Sequence, residues 1–298
     1  GMGEVHRGWD RRLERAVAVK LVRSHDARDA ERVLLEARLQ ARVEHPHVVK
    51  VHAVGSLEGR PCIVFQLVEG RALSELAPSL SLEQRVDLVR QAGLGLHAAH
   101  LQGLVHRDVK PANVLVEQSR DAGPVALLTD FGLARGEEAG ASRSGLPAGT
   151  LDYMSPEQLV APGPPDFRSD VYALGATLYS VLAGRPPFRR SLSPGTPSTE
   201  AEPDVELLRR ILEEDPEPLT RVVPGLPRDL ATIAARAMEK DPTARYSSAE
   251  ALAADLGRVQ RGEPILARPA SLLERTLKWS RRNTALARAA AVVVLTLL

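Results

Sequence analysis

The spacing of apolar residues changes once along this chain, close to residue 70, and that change constrains the fold more than any other feature. Before it, short β-rich runs dominate: Ala16-Val17-Ala18-Val19, and the stretch 61–68 that contains Ile63, Val64, Phe65 and Val68. Such runs are rich in the residue types that fit a pleated strand. One helix separates them. Ala30, Val33, Leu34, Ala37 and Ala41 recur at helical spacing within 27–43 and form one apolar stripe, and Pro46 stops the helix. From Leu73 onward the spacing is helical, at 82–101, 169–183, 205–212, 230–239 and 249–260. Two strand-like runs, 114–116 and 125–129, interrupt it around a turn-like stretch at 118–124. A β-rich front followed by a helical back predicts an α+β protein of two lobes rather than an alternating parallel sheet.

The 298 residues are enough for about two such units. With 4 Phe, 4 Tyr and 2 Trp the core must be aliphatic. Apolar residues at 44% and charged residues at 26% exclude wholesale disorder. A net charge of +1 leaves no broad field for nucleic acid, and no nucleic-acid partner is expected. Cys62 is the single cysteine, which excludes a disulfide scaffold or a cysteine zinc site and fits a reducing compartment. Residues 190–204 are polar and proline-rich and are predicted to form a flexible insertion.

The chemistry concentrates in five segments. His106-Arg107-Asp108-Val109-Lys110-Pro111-Ala112-Asn113 is the densest, and Asp130-Phe131-Gly132 follows 22 positions after Asp108. Upstream stand Val17-Ala18-Val19-Lys20 and, sixteen residues after Lys20, Glu36 on the amphipathic helix. Downstream is Gly149-Thr150-Leu151-Asp152-Tyr153-Met154-Ser155-Pro156-Glu157. In this order the segments resemble the eukaryotic-type protein kinases, and within them the Ser/Thr kinases found as membrane receptors in bacteria. The resemblance runs from Gly1 to about Gly262.

The resemblance implies a bilobal fold, with a small β-rich lobe at 1–70 carrying one regulatory helix and a larger, mainly helical lobe at 71–262. It implies transfer of the ATP γ-phosphate to Ser/Thr hydroxyls of proteins, with Mg2+ as cofactor and Mn2+ as the alternative ion. Phosphoryl transfer needs alignment and charge neutralisation more than covalent help. By the family pattern, Asp108 accepts the proton of the substrate hydroxyl, Lys110 meets the γ-phosphate, and Asn113 and Asp130 hold the metal. Lys20 holds the α/β-phosphates and Glu36 holds Lys20, a pair that can form or break as the helix moves. Gly3, Val5 and Ala18 line the nucleotide. Phe65, Gln66, Leu67 and Val68 meet adenine, with Gln66 standing where Glu is commoner. His106, Phe131, Asp170 and the pair Glu157–Arg245 are structural, and Asp170 braces the backbone of the catalytic loop. Arg107 implies an arginine pocket for a phosphate on the activation segment, with Ser142 and Ser144 as acceptors. Thr150 is expected on Asp108 and Lys110 rather than as the main phosphosite. His97 and His100 form H-x-x-H on a helix, but no third ligand accompanies them and no metal site is expected there.

The sequence departs from the pattern at its ends. Gly3 matches the third glycine of the phosphate-covering loop and Val5 its valine, while the first two glycines and the preceding strand are missing. Residues 268–288 hold Arg268, Arg275, Lys278, Arg281, Arg282 and Arg288 against Glu274, and an uncharged run follows. A basic juxtamembrane segment at 263–284 and the start of a membrane helix at 285–298 are therefore expected, with the kinase on the cytoplasmic side, the alternative being a C-terminal helix packed on the helical lobe. Dimerisation through the β-rich lobe follows only from the family likeness. The competing readings are a pseudokinase scaffold and, more distantly, a small-molecule phosphotransferase.

Overall fold

The computed structural model describes residues 3–22, 27–57, 59–119, 123–131, 149–160, 166–189 and 204–267. The front of the chain forms a four-stranded antiparallel sheet from β1 (Gly3–Asp10), β2 (Arg15–Val22), β3 (Val51–Leu57) and β4 (Arg60–Gln66), in the order β1-β2-β4-β3. Helix α1 (Ala27–Gln40) lies between β2 and β3 in sequence. Strands β1 and β3 expose most of their length and hold no unbroken apolar run, so no such run announces them. Val22, Val33, Ala37, Val49, Ile63, Phe65 and Leu127 form the core of this lobe, so Val33 and Ala37 of the stripe read on α1 face the sheet, while α1 ends at Gln40 and Ala41, beyond it, is exposed.

Strand β5 (Gly70–Ala72) and the short helix α2 (Leu73–Leu76) lead into α3 (Leu82–Leu101), whose start is set by a capping box between Ser81 and Gln84. Strands β6 (Val114–Ser119) and β7 (Gly123–Leu128) pair antiparallel beside β5. After them come α4 (Pro156–Val160), α5 (Phe167–Ala183), α6 (Asp204–Glu213), α7 (Leu219–Val222), α8 (Arg228–Ala237) and α9 (Ala249–Gln260). Helix α5 is the most deeply buried, and Gly184 ends it at φ 73°, a left-handed conformation that suits glycine. The two-lobed α+β architecture expected from the change of spacing is the one observed.

The two cores meet at β6 and β7. Ala126 and Leu128 belong to the large core and Leu127 to the small one, as the period-2 alternation of a strand requires. The segment before β3 shares the same seam: Val48 faces the large core, Val49 the small one, and Val48 bridges Leu128 in parallel. Gln91 on α3 bonds the remaining edge of β7, accepting from Ala126 N at 2.8 Å. The loops that leave this ribbon are therefore anchored to both lobes, and these loops carry the candidate site.

Residues 190–203 lie outside the described residues, and Asp204, expected to close the insertion, opens α6. Residues 263–267, the first of the expected basic segment, pack against α9: Leu266 N and Ala267 N each donate to the buried Asp255 carboxylate at 2.8 Å. The rest of that segment and the expected membrane helix lie outside the described residues. Among the described residues no helix is long and apolar enough to cross a membrane.

Candidate active site

The site assembles at the ends of the β6–β7 ribbon. Asn113 immediately precedes β6 and Asp130 lies two residues beyond β7, so one hairpin sets their separation. Asn113 donates through Nδ2 to Asp108 O at 2.8 Å and to Asp108 Oδ2 at 3.0 Å. This turns the amide oxygen of Asn113 away from Asp108. Lys110 Nζ lies 2.8 Å from Asp108 Oδ2 and donates to Thr150 Oγ1 at 3.1 Å. Asp108, Lys110, Asn113 and Thr150 thus form one connected group, in which Thr150 bonds Lys110 and reaches Asp108 only through it.

From the other lobe, Lys20 on β2 donates to Asp130 Oδ1 at 2.5 Å. Its side chain is only 9% exposed, so the ammonium is held where a desolvated charge needs a partner. The expected pairing of Lys20 with Glu36 is not the one observed. Glu36 Oε1 lies 3.6 Å from Arg107 Nη1, while Lys20 takes Asp130. Each of the two cations and two carboxylates thus lies beside an opposite charge. The sequence order of the four residues is compatible with either pairing, and only the placement of α1 decides between them.

The scaffold beneath is built from backbone and buried charge. Asp170 on α5 is fully buried and accepts from His106 N at 2.7 Å, Arg107 N at 2.7 Å and His100 Nε2 at 2.8 Å. His106 donates Nε2–H to Thr129 O at 3.0 Å and accepts at Nδ1 from Asp108 N at 3.3 Å, which sets its neutral tautomer. Burial pushes the His106 pKa down, against the pull of Asp170 and Asp108. Its ring lies 4.4 Å from that of the buried Phe131. Arg107 and Asp130 both adopt left-handed backbone, φ 65° and 61°, where non-glycine residues are uncommon and cluster at functional sites. Glu157 and Arg245 form a two-pronged pair at 2.6 and 2.7 Å. Burial would raise the Glu157 pKa, but hydrogen bonds from Arg245 and Ser169 hold it below the usual range.

The nucleotide-side residues are more open. Gly3 begins β1, and Val5, 62% exposed, pairs with Lys20 across the β1–β2 ladder. Ala18 faces Phe65 in the β2–β4 ladder, and Gln66 ends β4 with its N–H donating to Lys50 O at 2.8 Å. Ala18 and Val68 pack against the small core. Ser142 and Ser144 lie outside the described residues.

His100 is the residue that sequence reasoning undervalued. The two histidines of H-x-x-H diverge: His97 Nε2 reaches Glu250 at 3.3 Å and His100 reaches Asp170. No cluster of three metal-ligating side chains occurs among the described residues. The only signal in the sequence was a helical histidine six residues before His106. Gln158, whose Nε2 donates to Arg107 O at 3.4 Å, and Asp152, bonded to Arg189 at 2.7 Å, were also passed over because each partner is distant in sequence.

Comparison with known proteins points in one direction. The model of a family described as protein kinase domain matches residues 1–256. The chain is 36% identical over 277 residues to serine/threonine-protein kinase PknB of Mycobacterium tuberculosis, covering 89% of this chain and 42% of that protein. It is 39% identical over 269 residues to serine/threonine-protein kinase pkn2 of Myxococcus xanthus, covering 85% of this chain and 30% of that one. It thus spans well under half the length of these relatives. Among solved structures, the kinase domain of Mycobacterium tuberculosis PknI superposes with a TM-score of 0.65 at 28% identity, over 87% of this chain and 91% of that domain.

Proposed function

This chain belongs to the protein kinase domain family, and on that premise we propose that it transfers the γ-phosphate of ATP to serine and threonine hydroxyls of proteins, in bacterial signal transduction. The observation that carries the proposal is the group of Asp108, Lys110, Asn113 and Thr150 joined by hydrogen bonds and an ion pair of 2.8 to 3.1 Å, with Asp130, paired to Lys20, next to Thr129, whose N–H bonds Asn113 O. The substrate hydroxyl oxygen attacks the γ-phosphorus, the bond to the β-phosphate oxygen breaks, and the hydroxyl proton passes to the Asp108 carboxylate. Asn113 and Lys110 hold that carboxylate in one orientation. Lys110 also places positive charge where the transferring group gathers negative charge. Lys20 binds the α/β-phosphates, and Gly3, Val5, Ala18, Gln66 and Val68 line the nucleotide.

The donor set fits a hard divalent cation, since Asp130 offers carboxylate oxygens and the Asn113 amide oxygen is turned away from its partner. Magnesium held by these residues would neutralise phosphate charge. Thr150, bonded to Lys110 beside Asp108, supports a Ser/Thr substrate. The basic composition of residues 268–288 supports attachment at the cytoplasmic face of a membrane, since such a stretch is attracted to anionic headgroups.

Radiolabelled ATP with a generic protein substrate tests the reading. Transfer to Ser or Thr is expected and is lost in Asp108→Asn; equal labelling by both proteins, or labelling of neither, sinks it. The activation segment supplies the second measurement. Phosphate on Ser142 or Ser144 is drawn to Arg107, so Ser→Ala at both positions lowers autophosphorylation and activity, and unchanged phosphate content rejects these sites.

A further inference from the structure

The segment that carries Thr150 also carries a carboxylate that reaches out of the site. Asp152 lies in the 3-10 turn Leu151–Tyr153, and its side chain is only 8% exposed. Its Oδ1 accepts from Arg189 Nε at 2.7 Å. The turn is rigidly seated: Leu151 is buried, and Tyr153 Oη pairs with Ser180 Oγ on α5 at 3.0 Å. Arg189 is held at its other end as well. Its carbonyl accepts from Arg185 Nη1 at 2.6 Å, and Arg185 is itself fixed by Glu217 at 2.7 Å.

The pair is lopsided. Asp152 is the buried half, and Arg189, 31% exposed, is the half that meets solvent. Guanidinium offers five N–H donors in a planar fork, and Nε uses one of them. Nη1 and Nη2 of Arg189 make no hydrogen bond among the described residues. Ordering an arginine normally costs side-chain entropy; here the buried carboxylate and Arg185 have already fixed it.

We propose that Arg189 is a specificity-determining residue that selects protein substrates carrying an acidic side chain near the phosphoacceptor. This rests on the kinase reading given above. Its position follows from the chain. Asp152 is two residues from Thr150, which bonds Lys110 beside Asp108. Two residues span at most about 7 Å, the paired Asp152 and Arg189 side chains carry the guanidinium roughly as far again, and an extended peptide advances about 3.3 Å per residue, so the guanidinium comes within reach of a side chain up to about five positions from the acceptor. A carboxylate there gains a charge-assisted, two-pronged contact, and a basic side chain meets like charge.

The test uses the full chain and peptides that share one Ser acceptor and carry Glu, Gln or Arg at successive positions, within about five residues on either side. kcat/KM is measured on the wild type, and Kd on the Asp108→Asn protein. At one or two positions Glu is expected to be favoured over Gln by about tenfold, with Arg disfavoured. Arg189→Met brings Glu and Gln to the same value, Arg189→Lys keeps part of the preference, and Arg189→Glu inverts it, a change of sign that a folding defect does not produce. Wild type that treats Glu and Gln alike overturns the proposal. So does a Glu preference that survives Arg189→Met, or loss of binding to all peptides equally in that variant. The two readings fail separately. Absence of transfer with a Glu preference in Kd removes the kinase reading alone, and transfer without charge discrimination removes this one alone.

Discussion

Asp170 touches no reacting atom, yet three donors converge on its carboxylate and two of them are the backbone N–H groups of His106 and Arg107. A buried charge is tolerable only when its lone pairs are satisfied, and here the satisfaction shapes the loop that holds Asp108. His100 supplies the third bond from α3. Replacing His100 by Ala removes a hydrogen bond to a buried charged group, and a loss of about 1.5–3 kcal/mol is expected by denaturant titration. Because the catalytic-loop backbone loosens while the nucleotide-side strands are untouched, kcat should fall more than the KM for ATP. An unchanged kcat would mean that His100 only packs. The Glu157–Arg245 pair follows the same logic from the cationic side: the Arg245 side chain is fully shielded and also donates to Arg168 O, Glu239 O and Lys240 O.

At the scale of elements, the β6–β7 ribbon joins the lobes through its two faces, and the segment at 45–50 clasps its edge. His47 O accepts from Leu128 N at 2.9 Å, and His47 Nδ1 donates to Ala126 O at 3.0 Å. Helix α3 passes so close that a Cβ on Gly95 would stand 2.5 Å from His47 O. Backbone on both sides leaves nowhere to yield, so Gly95→Ala is expected to destabilise the fold by about 1–3 kcal/mol, measured as a lowered denaturation midpoint. Wild-type stability in that variant would show that α3 and the clasp can separate freely. Helix α1 is held differently. Gln40 at its end donates to Val49 O at 3.1 Å, and farther along, Glu36 meets Arg107 across the cleft.

At the scale of the molecule, four of the described histidines give the fold a response to mild acid. Burial lowers the pKa of His45, His47, His52 and His106 from the ordinary value of 6.5. The unfolded chain therefore takes up protons first as pH falls. Stability is full above pH about 6.5 and declines below it, toward the lowered folded values. Denaturant midpoints measured between about pH 7.5 and 5.5 should fall, and His47→Asn, which keeps a donor for Ala126 O, should flatten the slope. A flat wild-type profile would contradict the burial of these rings.

Sequence alone determined the residue types of the site and the division into a strand-rich front and a helical back. Apolar period is a local property, and α3 and α9 span the residues that the spacing marked. Asp108, Lys110, Asn113 and Asp130 were legible because a few residues on either side of one hairpin place them. Strands β1 and β3 were not, because pairing with β2 and β4 places them and neither holds an unbroken apolar run. Contacts that join distant segments were equally invisible: His100 with Asp170, Arg189 with Asp152, and Gly95 against His47. The partners of Lys20 and Glu36 belong to this class. Four charges of two signs can pair in two ways, and the choice depends on where packing sets α1 against the cleft, a long-range property that no local spacing encodes.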